Sequence, residues 1–437
     1  MPAARWRELA GPVRMQRVAL VAPVDAVRDV LSLVGAVGLV ELDAPAQPGA
    51  TEDASLEAVA GRAVVRGEVA ALTGWVPLAE VEPLARRLSA LGGAVVPMPT
   101  PRGIDPPTLL REGGQLRRAF TPLVQTYGTV PYEDVDPSLV AGLAYIVMFG
   151  MMFGDVGHGA LLAVLGLVVR SGRIRRLAPV RKLWPFVTGS GVAAMGFGLL
   201  YGECFGPTGL VPVVWLAPLD HPVTLLVAGV VVGAALLALA QGLATVNRWR
   251  EGGWARAVSA PSGLAGAALL AGVGLVAGGV WGGLTWLVLL GAATVGTGVL
   301  LAFGGFLASA GGGGAGATQA VVEVFDAVLR VGTNLVSFAR LAAFGLTHAA
   351  LGSVVWDGTT AVAASGPAMV LLAVVLFVAG NVLTFGLEAL VAGIQALRLE
   401  YYELFSRLFE GEGRPFRPWR LPDLEPSGSS TDQGRRP

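Results

Sequence analysis

Residues 257–322 read AVSAPSGLAGAALLAGVGLVAGGVWGGLTWLVLLGAATVGTGVLLAFGGFLASAGGGGAGATQAVV, without one Lys, Arg, Asp or Glu. A membrane-crossing helix needs about 20 apolar residues, so this run holds at least two crossings, and its Gly and Ala let helices pack closely in lipid. The whole chain has the same character. Its 437 residues are 54% hydrophobic and 14% charged, with a mean hydropathy of +0.64, whereas soluble domains carry roughly 25% charge. The composition is that of a membrane protein.

Several functions are excluded. A formal net charge of zero offers no footprint for nucleic acid. The single cysteine, Cys204, rules out an internal disulfide framework, and His158, His221 and His348 stand too far apart for a zinc motif. Lys182 is the only lysine and is followed by Leu183, so no phosphate-binding P-loop exists. Neither a cofactor nor ATP hydrolysis by that route is expected. Residues 1–30 lack the charged start, apolar run and cleavage site of a signal peptide, which predicts a cytoplasmic N-terminus.

The composition changes near residue 138. Before it, 17–42 reads as strand, helix, strand, and 68–96 repeats that order. With the short 45–64 segment between them, residues 1–138 are expected to form a small cytoplasmic α+β lobe and linker. After it, 139–410 is a transmembrane domain with candidate spans at 139–153, 157–170, 184–201, 223–246, 261–279, 284–307, 323–356 and 367–409. The last two are long enough to tilt or to project beyond the hydrocarbon. Residues 411–437, rich in Pro, Ser and Arg, read as a disordered cytoplasmic tail. Loop 170–182 carries Arg170, Arg173, Arg175, Arg176, Arg181 and Lys182 and no acid, marking it cytoplasmic. Arg248, Arg250, Arg256, Arg414, Arg417 and Arg420 fall on that side too, while 202–222, 280–283 and 357–366 lack Lys and Arg. Eight spans with both ends inside result, in a mostly α polytopic bundle.

Polar groups within the apolar runs mark three places. In FGMMFGDVGHG (149–159), Asp155 and His158 either line a channel or sit in a turn, with Asp155 capping the next helix. In TNLVSFARLAAFGLTHAAL (333–351), Arg340 lies about a dozen residues from either end of its span, too deep to snorkel comfortably. No acid lies between Asp326 and Asp357 to neutralise it, Thr333 and Thr347 share its face, and His348 follows eight residues later. In the final span, Asn381, Glu388 and Gln395 recur at seven-residue intervals with Arg398 on the flank. They form either a polar path or a hydrogen-bonded seam between helices.

These motifs resemble the membrane stator subunit of V-type and archaeal-type rotary ATPases, called subunit a or subunit I. TYGTVPYEDVDPSLVAGLAYIVMFGMMFGDVGHG (126–159), SFARLAAFGLTHAAL (337–351) and EALVAGIQALRLEYYELFSRLFEGEGRPFRP (388–418) carry the likeness, which extends from Val13 to about Pro418. The resemblance implies that Arg340 is the rotor-facing arginine, Arg398 the second arginine, Glu388 the buried acid and His348 the histidine after the first arginine. It implies two ion half-channels against a proteolipid rotor ring, coupling the flow of protons or sodium ions to rotation, with ATP chemistry in other subunits. The implied partners are that ring, peripheral-stalk subunits, a rotor adaptor subunit and the lipid of the plasma membrane.

One departure stands out. The family interrupts its N-terminal lobe with a long helical hairpin, the arm towards the peripheral stalk, whereas here residues 45–64 fill that gap without a heptad run. Stalk attachment then falls to the lobe, at helices near 25–34 and 78–91, where Leu84, Leu88 and Leu91 lie beside Arg86 and Arg87. Two other readings remain open on sequence: a secondary transporter with a midplane site built by Arg340 and Glu388, and a non-conducting assembly scaffold. No convincing repeat between 139–246 and 261–409 supports the first, and the channel residues that a scaffold would have lost are present.

Overall fold

The computed structural model describes residues 11–43, 52–101, 103–111, 114–260, 262–311, 313–408 and 413–421. They fall into two compact units, one drawn from residues 1–111, 129–132 and 412–437, the other from 112–128 and 133–411.

The first unit is the α+β lobe. Its elements are β1 (Met15–Pro23), α1 (Val27–Val37), β2 (Glu41–Leu42), α2 (Glu52–Ala60), β3 (Val64–Arg66), β4 (Val69–Pro77), α3 (Val81–Ser89) and β5 (Ala94–Met98). Both expected strand–helix–strand units are therefore present. The sheet is antiparallel in the order β2-β4-β1-β5, with β3 paired to β4. Alternation along β1 sends Val18, Leu20 and Ala22 into the core, and the i, i+3, i+4, i+7 spacing of α1 adds Val27, Val30, Leu31 and Val34. From α3, Leu84 and Leu88 join the same core. This corrects the reading of Leu84 and Leu88 as anchors for a stalk: the amphipathic face they form is spent on the lobe's own sheet, and of the expected contact residues Arg86, Arg87 and Leu91 remain exposed.

The stretch 413–421, expected to be part of a disordered tail, is instead ordered on this lobe. Thr108 pairs with Pro415 in a parallel bridge, donating its N–H to the Arg414 carbonyl (2.6 Å) and accepting from Phe416 N–H (3.0 Å). Glu41 binds the Arg414 guanidinium (2.7 Å) and accepts from Arg417 N–H (2.6 Å), and Trp419 N–H donates to the Val40 carbonyl (2.8 Å). The Trp419 and Leu421 side chains complete the apolar core. Gly35 makes room for them, since a Cβ there would lie 2.7 Å from Leu421. Polar composition concealed two large apolar residues at the right spacing. Residues 422–437, also assigned to that tail, lie outside the described residues.

The second unit is helical. It contains α4 (Gln115–Tyr127), α5 (Ser138–Met152), α6 (Val156–Ser171), a 3-10 helix (Arg175–Leu183), α7 (Trp184–Tyr201), α8 (Pro222–Ser259), α9 (Leu264–Gly282), α10 (Thr285–Ser309), α11 (Gly313–Ser337), α12 (Ala339–Ala364) and α13 (Val370–Leu399). A π-helical turn, Glu400–Phe405, extends α13. Among the described residues, six helical stretches are long and apolar enough to cross a membrane, and α5 and α6 are shorter apolar helices. Helix α4 was not foreseen, and it belongs with this unit rather than with the lobe.

Helix α8 bends at Gly252 and Gly253, the latter at φ 71°. Helices α11 and α12 form one 52-residue run, about 78 Å at 1.5 Å per residue and far beyond the roughly 30 Å of hydrocarbon. The run breaks at Phe338, whose N–H reaches back three residues to Leu335 and whose carbonyl accepts from Leu341 N–H. Phe338 is fully buried against Gly233 of α8, where a Cβ would lie 2.1 Å from its ring.

Candidate functional site

Asp155 sits between α5 and α6 as the N-cap of α6. It is fully buried and accepts from His158 N–H (2.8 Å), Phe205 N–H (3.0 Å) and Gly206 N–H (2.9 Å). One carboxylate thus caps a helix and fastens the loop after α7. That loop passes close over α12: a Cβ on Gly206, at φ 85°, would meet the Gly352 carbonyl at 2.8 Å. Phe205, at φ 53°, is the one non-glycine residue in the left-handed region among those described. The loop conformation is strained and held by Asp155. Of the two sequence readings of Asp155, its bonds match the capping role.

Around Asp155 lies a buried group of ionisable side chains. His158 is 1% exposed, and its ring packs against Phe153, Phe205, Phe385 and His348 at centroid distances of 5.8, 5.3, 5.7 and 5.7 Å. His348 on α12 forms an ion pair with Glu388 on α13. Glu203 completes the group from the loop after α7, with His348, Asp155 and Glu388 as its charged neighbours. Burial pushes the Glu203 carboxyl up to about 7, opposed by His348 and assisted by Asp155 and Glu388. Glu203 was missed in the sequence because it lies in a connecting segment, where one acid is ordinary. Its signal was its place among apolar residues in a segment lacking Lys and Arg.

Eight residues before His348, Arg340 opens α12 just after the break at Phe338. It is half-buried and lines an open groove of about 710 Å³ with Val328, Leu329, Gly332, Thr333, Val336 and Ser337. Its charged neighbours are Arg398 and Glu403. Arg398 is exposed, and neither arginine has a carboxylate at salt-bridge distance among the described residues. Thr333 and Arg340 share the groove as the seven-residue spacing implies, although the helix is broken between them. Along α13, Asn381 donates to the Phe377 carbonyl of its own helix (2.9 Å), while the buried Gln395 Oε1 has no hydrogen-bond partner among the described residues.

A second polar region lies near the end of the same bundle. A cavity of about 530 Å³ is lined by Glu323, Asp326, Arg330 and Asn334 of α11 and by Ser406 and Arg407 beyond the π turn, with apolar walls from α9 and α10. Asp326 and Arg330 form an ion pair one turn apart. Glu400 on the π turn is fully buried, with neither oxygen hydrogen-bonded among the described residues. The sequence reading passed over these acids, because Glu323 and Asp326 look like the solvated end of a span.

A bundle of apolar helices with ionisable groups buried inside it and on its last two long helices defines a class of polytopic membrane protein. The particular kinship comes from comparison. The chain belongs to the V-type ATPase 116kDa subunit family, whose profile matches residues 62–207 and 317–421. It is 26% identical to the A-type ATP synthase subunit I of Pyrococcus horikoshii over 363 residues, covering 80% of this chain and 53% of that protein. It is 27% identical to the A-type ATP synthase subunit I of Thermococcus kodakarensis, covering 80% and 54%. The V-type ATP synthase subunit I 2 of Treponema pallidum is 33% identical over 171 residues, 36% of each chain. The chain therefore spans about half the length of the first two relatives.

Proposed function

We propose that this chain is the membrane stator of a rotary ATPase or ATP synthase, providing two ion half-channels against a proteolipid ring and carrying no ATP chemistry of its own. One observation carries the reading: the level of Arg340 and Arg398 separates two polar regions. His348 lies eight residues along α12 from Arg340, about 12 Å of helix, and Glu388 lies ten residues along α13 from Arg398, about 15 Å. In the other direction, Asp326 and its cavity lie 14 residues back, on α11 beyond the break at Phe338.

Arginine stays charged at any relevant pH. Beside the open groove, Arg340 stabilises the ionised form of a rotor carboxylate that meets it and opposes passage of a bare proton between the two regions. The ion therefore leaves the ring on one side of Arg340 and is loaded on the other, and transfer is tied to rotation. Glu203, His348 and Glu388 serve one half-channel, and Glu323, Asp326 and Arg407 the other. Arg398 and Gln395 flank the crossing.

The partners of this reading are the proteolipid ring in the groove beside Arg340, a rotor adaptor subunit and peripheral-stalk subunits. Both termini face the cytoplasm, and the protein resides in the plasma membrane. Gentle extraction and affinity purification of the tagged chain test the assignment. A small proteolipid with a mid-membrane carboxylate should co-purify in ring stoichiometry. A chain that purifies alone and takes up a small solute in vesicles contradicts it.

A further inference from the structure

The connection between α6 and α7 is more than a turn. Nine of its residues, Arg175–Leu183, form a 3-10 helix, although such helices rarely exceed three or four residues. With three residues per turn, side chains three apart eclipse one another. Ile174, Leu177, Val180 and Leu183 therefore stack in one stripe, with Arg175, Ala178 and Arg181 on the second and Arg176, Pro179 and Lys182 on the third. Ile174 is 46% exposed and Val180 41%. The apolar stripe thus faces outward as well as inward.

The charge on this segment has no internal counterpart. No acidic residue occurs between Asp155 and Glu203, and none of Arg170, Arg173, Arg175, Arg176, Arg181 and Lys182 has an ion pair among the described residues. Two of the cations are nonetheless positioned. Arg181 Nε donates to the Arg170 carbonyl at the end of α6 (3.2 Å), and the Arg170 guanidinium lies 4.7 Å from the Trp184 ring centre.

We propose that Arg175–Leu183 is an interfacial helix that lies in the headgroup layer and binds anionic glycerophospholipid through its phosphate. The linker between two membrane helices is too short to leave that layer, and the segment packs against α4, α6 and α7. An exposed apolar stripe flanked by two cationic ones is the pattern of a helix half-sunk in the interface. Unpaired guanidinium groups supply the complement of phosphodiesters. Trp184 beside Arg170 marks the same level, where aromatic rings concentrate. The proposal needs only that the protein lies in a bilayer, so it stands or falls apart from the half-channel reading.

The full chain, reconstituted in phosphatidylcholine vesicles with and without phosphatidylglycerol, tests it in two ways. With Cys204→Ser, a nitroxide on Val180→Cys should be more accessible to oxygen than to a water-soluble nickel chelate, by electron paramagnetic resonance. Spin-labelled phosphatidylglycerol should be retained in preference to labelled phosphatidylcholine. The combined Arg175→Gln, Arg176→Gln and Arg181→Gln variant should lower that preference by about fivefold or more. Greater nickel access at Val180, equal retention of the two lipids, or a preference unchanged in the variant overturns the proposal. Displacement of the labelled lipid by inorganic phosphate at fixed ionic strength overturns it in favour of a free-anion site. Protection of Val180 only in the assembled complex overturns it in favour of an acidic protein partner.

Discussion

His348 of α12 and Glu388 of α13 form an ion pair across an antiparallel pair of helices, and further along the same two helices Arg340 and Arg398 are neighbours. The pairing gives one member of the seven-residue pattern on the last helix, Glu388, a partner on the neighbouring helix. The contact is compatible with a polar path and with a seam between helices, and aqueous access distinguishes the two. Breaking one side of a buried pair leaves the other uncompensated, at about 3–5 kcal/mol.

That pairing yields the first prediction. Glu388→Gln should lower ion-coupled ATP synthesis by at least about tenfold while the chain still inserts, and Glu388→Ala should also lower its thermal stability. ATP synthesis in vesicles energised by an imposed ion gradient measures the first effect. A Glu388→Gln complex with undiminished synthesis removes Glu388 from the path.

Access along α13 is separately measurable. With Cys204→Ser, cysteines at Glu388, Gln395 and Arg398 should react with membrane-impermeant thiol reagents in the assembled complex, while those at Leu387 and Leu397 should not. Uniform protection of the three polar positions indicates a dry seam.

Asp155 has a structural prediction. It accepts three backbone N–H groups and is fully buried, so Asp155→Ala should cost about 2–4 kcal/mol through lost capping and stranded donors. Asp155→Asn, which keeps one acceptor oxygen, should cost less. Thermal unfolding of the purified chain in detergent gives the ordering, and equal losses contradict the capping account.

The lobe can be probed through its C-terminal strap. Trp419→Ala should destabilise the lobe by about 3–5 kcal/mol and expose Glu41 and its neighbours to proteolysis. Gly35→Val, which sets a branched side chain against Leu421, should act similarly. Limited proteolysis with mass spectrometry reads both, and an unchanged pattern shows that the lobe's core closes without the strap.

Asp134 gives a pH dependence. Burial, then the nearby Glu251 carboxylate, raises its carboxyl from 3.8 to about 7, against the opposing fields of Arg248 and Arg250. Because the folded state holds a proton that the unfolded chain has released, this contribution to stability is greatest below the unfolded value. It is lost as pH rises through about 7. Asp134→Asn should flatten the decline in unfolding temperature between pH 5 and 8 and raise it at the upper end. A slope identical to that of the unmodified chain excludes Asp134 as its source.

The sequence revealed much of this architecture for physical reasons. Alternation in 17–42 and 68–96 has the period of its elements, so both lobe units were legible, and the charge-free run 257–322 permitted only lipid-spanning helices. Arg340 was conspicuous because a guanidinium deep within an apolar span is costly. Hidden features depend on distant partners. The Phe338 ring fits beside α8 only because Gly233 lies opposite, Trp419 enters the lobe only because Gly35 leaves room, and Glu203 gains meaning only beside His348.

The most direct test is ATP-driven ion pumping by vesicles holding the assembled complex with Arg340→Ala. The chain should insert and assemble, and pumping should fall to the level of protein-free vesicles, because the proposed mechanism assigns the discharge of rotor carboxylates to this cation. Arg340→Lys should fail or nearly fail as well, since lysine can lose its proton in a low-dielectric setting. Pumping by the alanine variant at the unmodified rate would contradict the account.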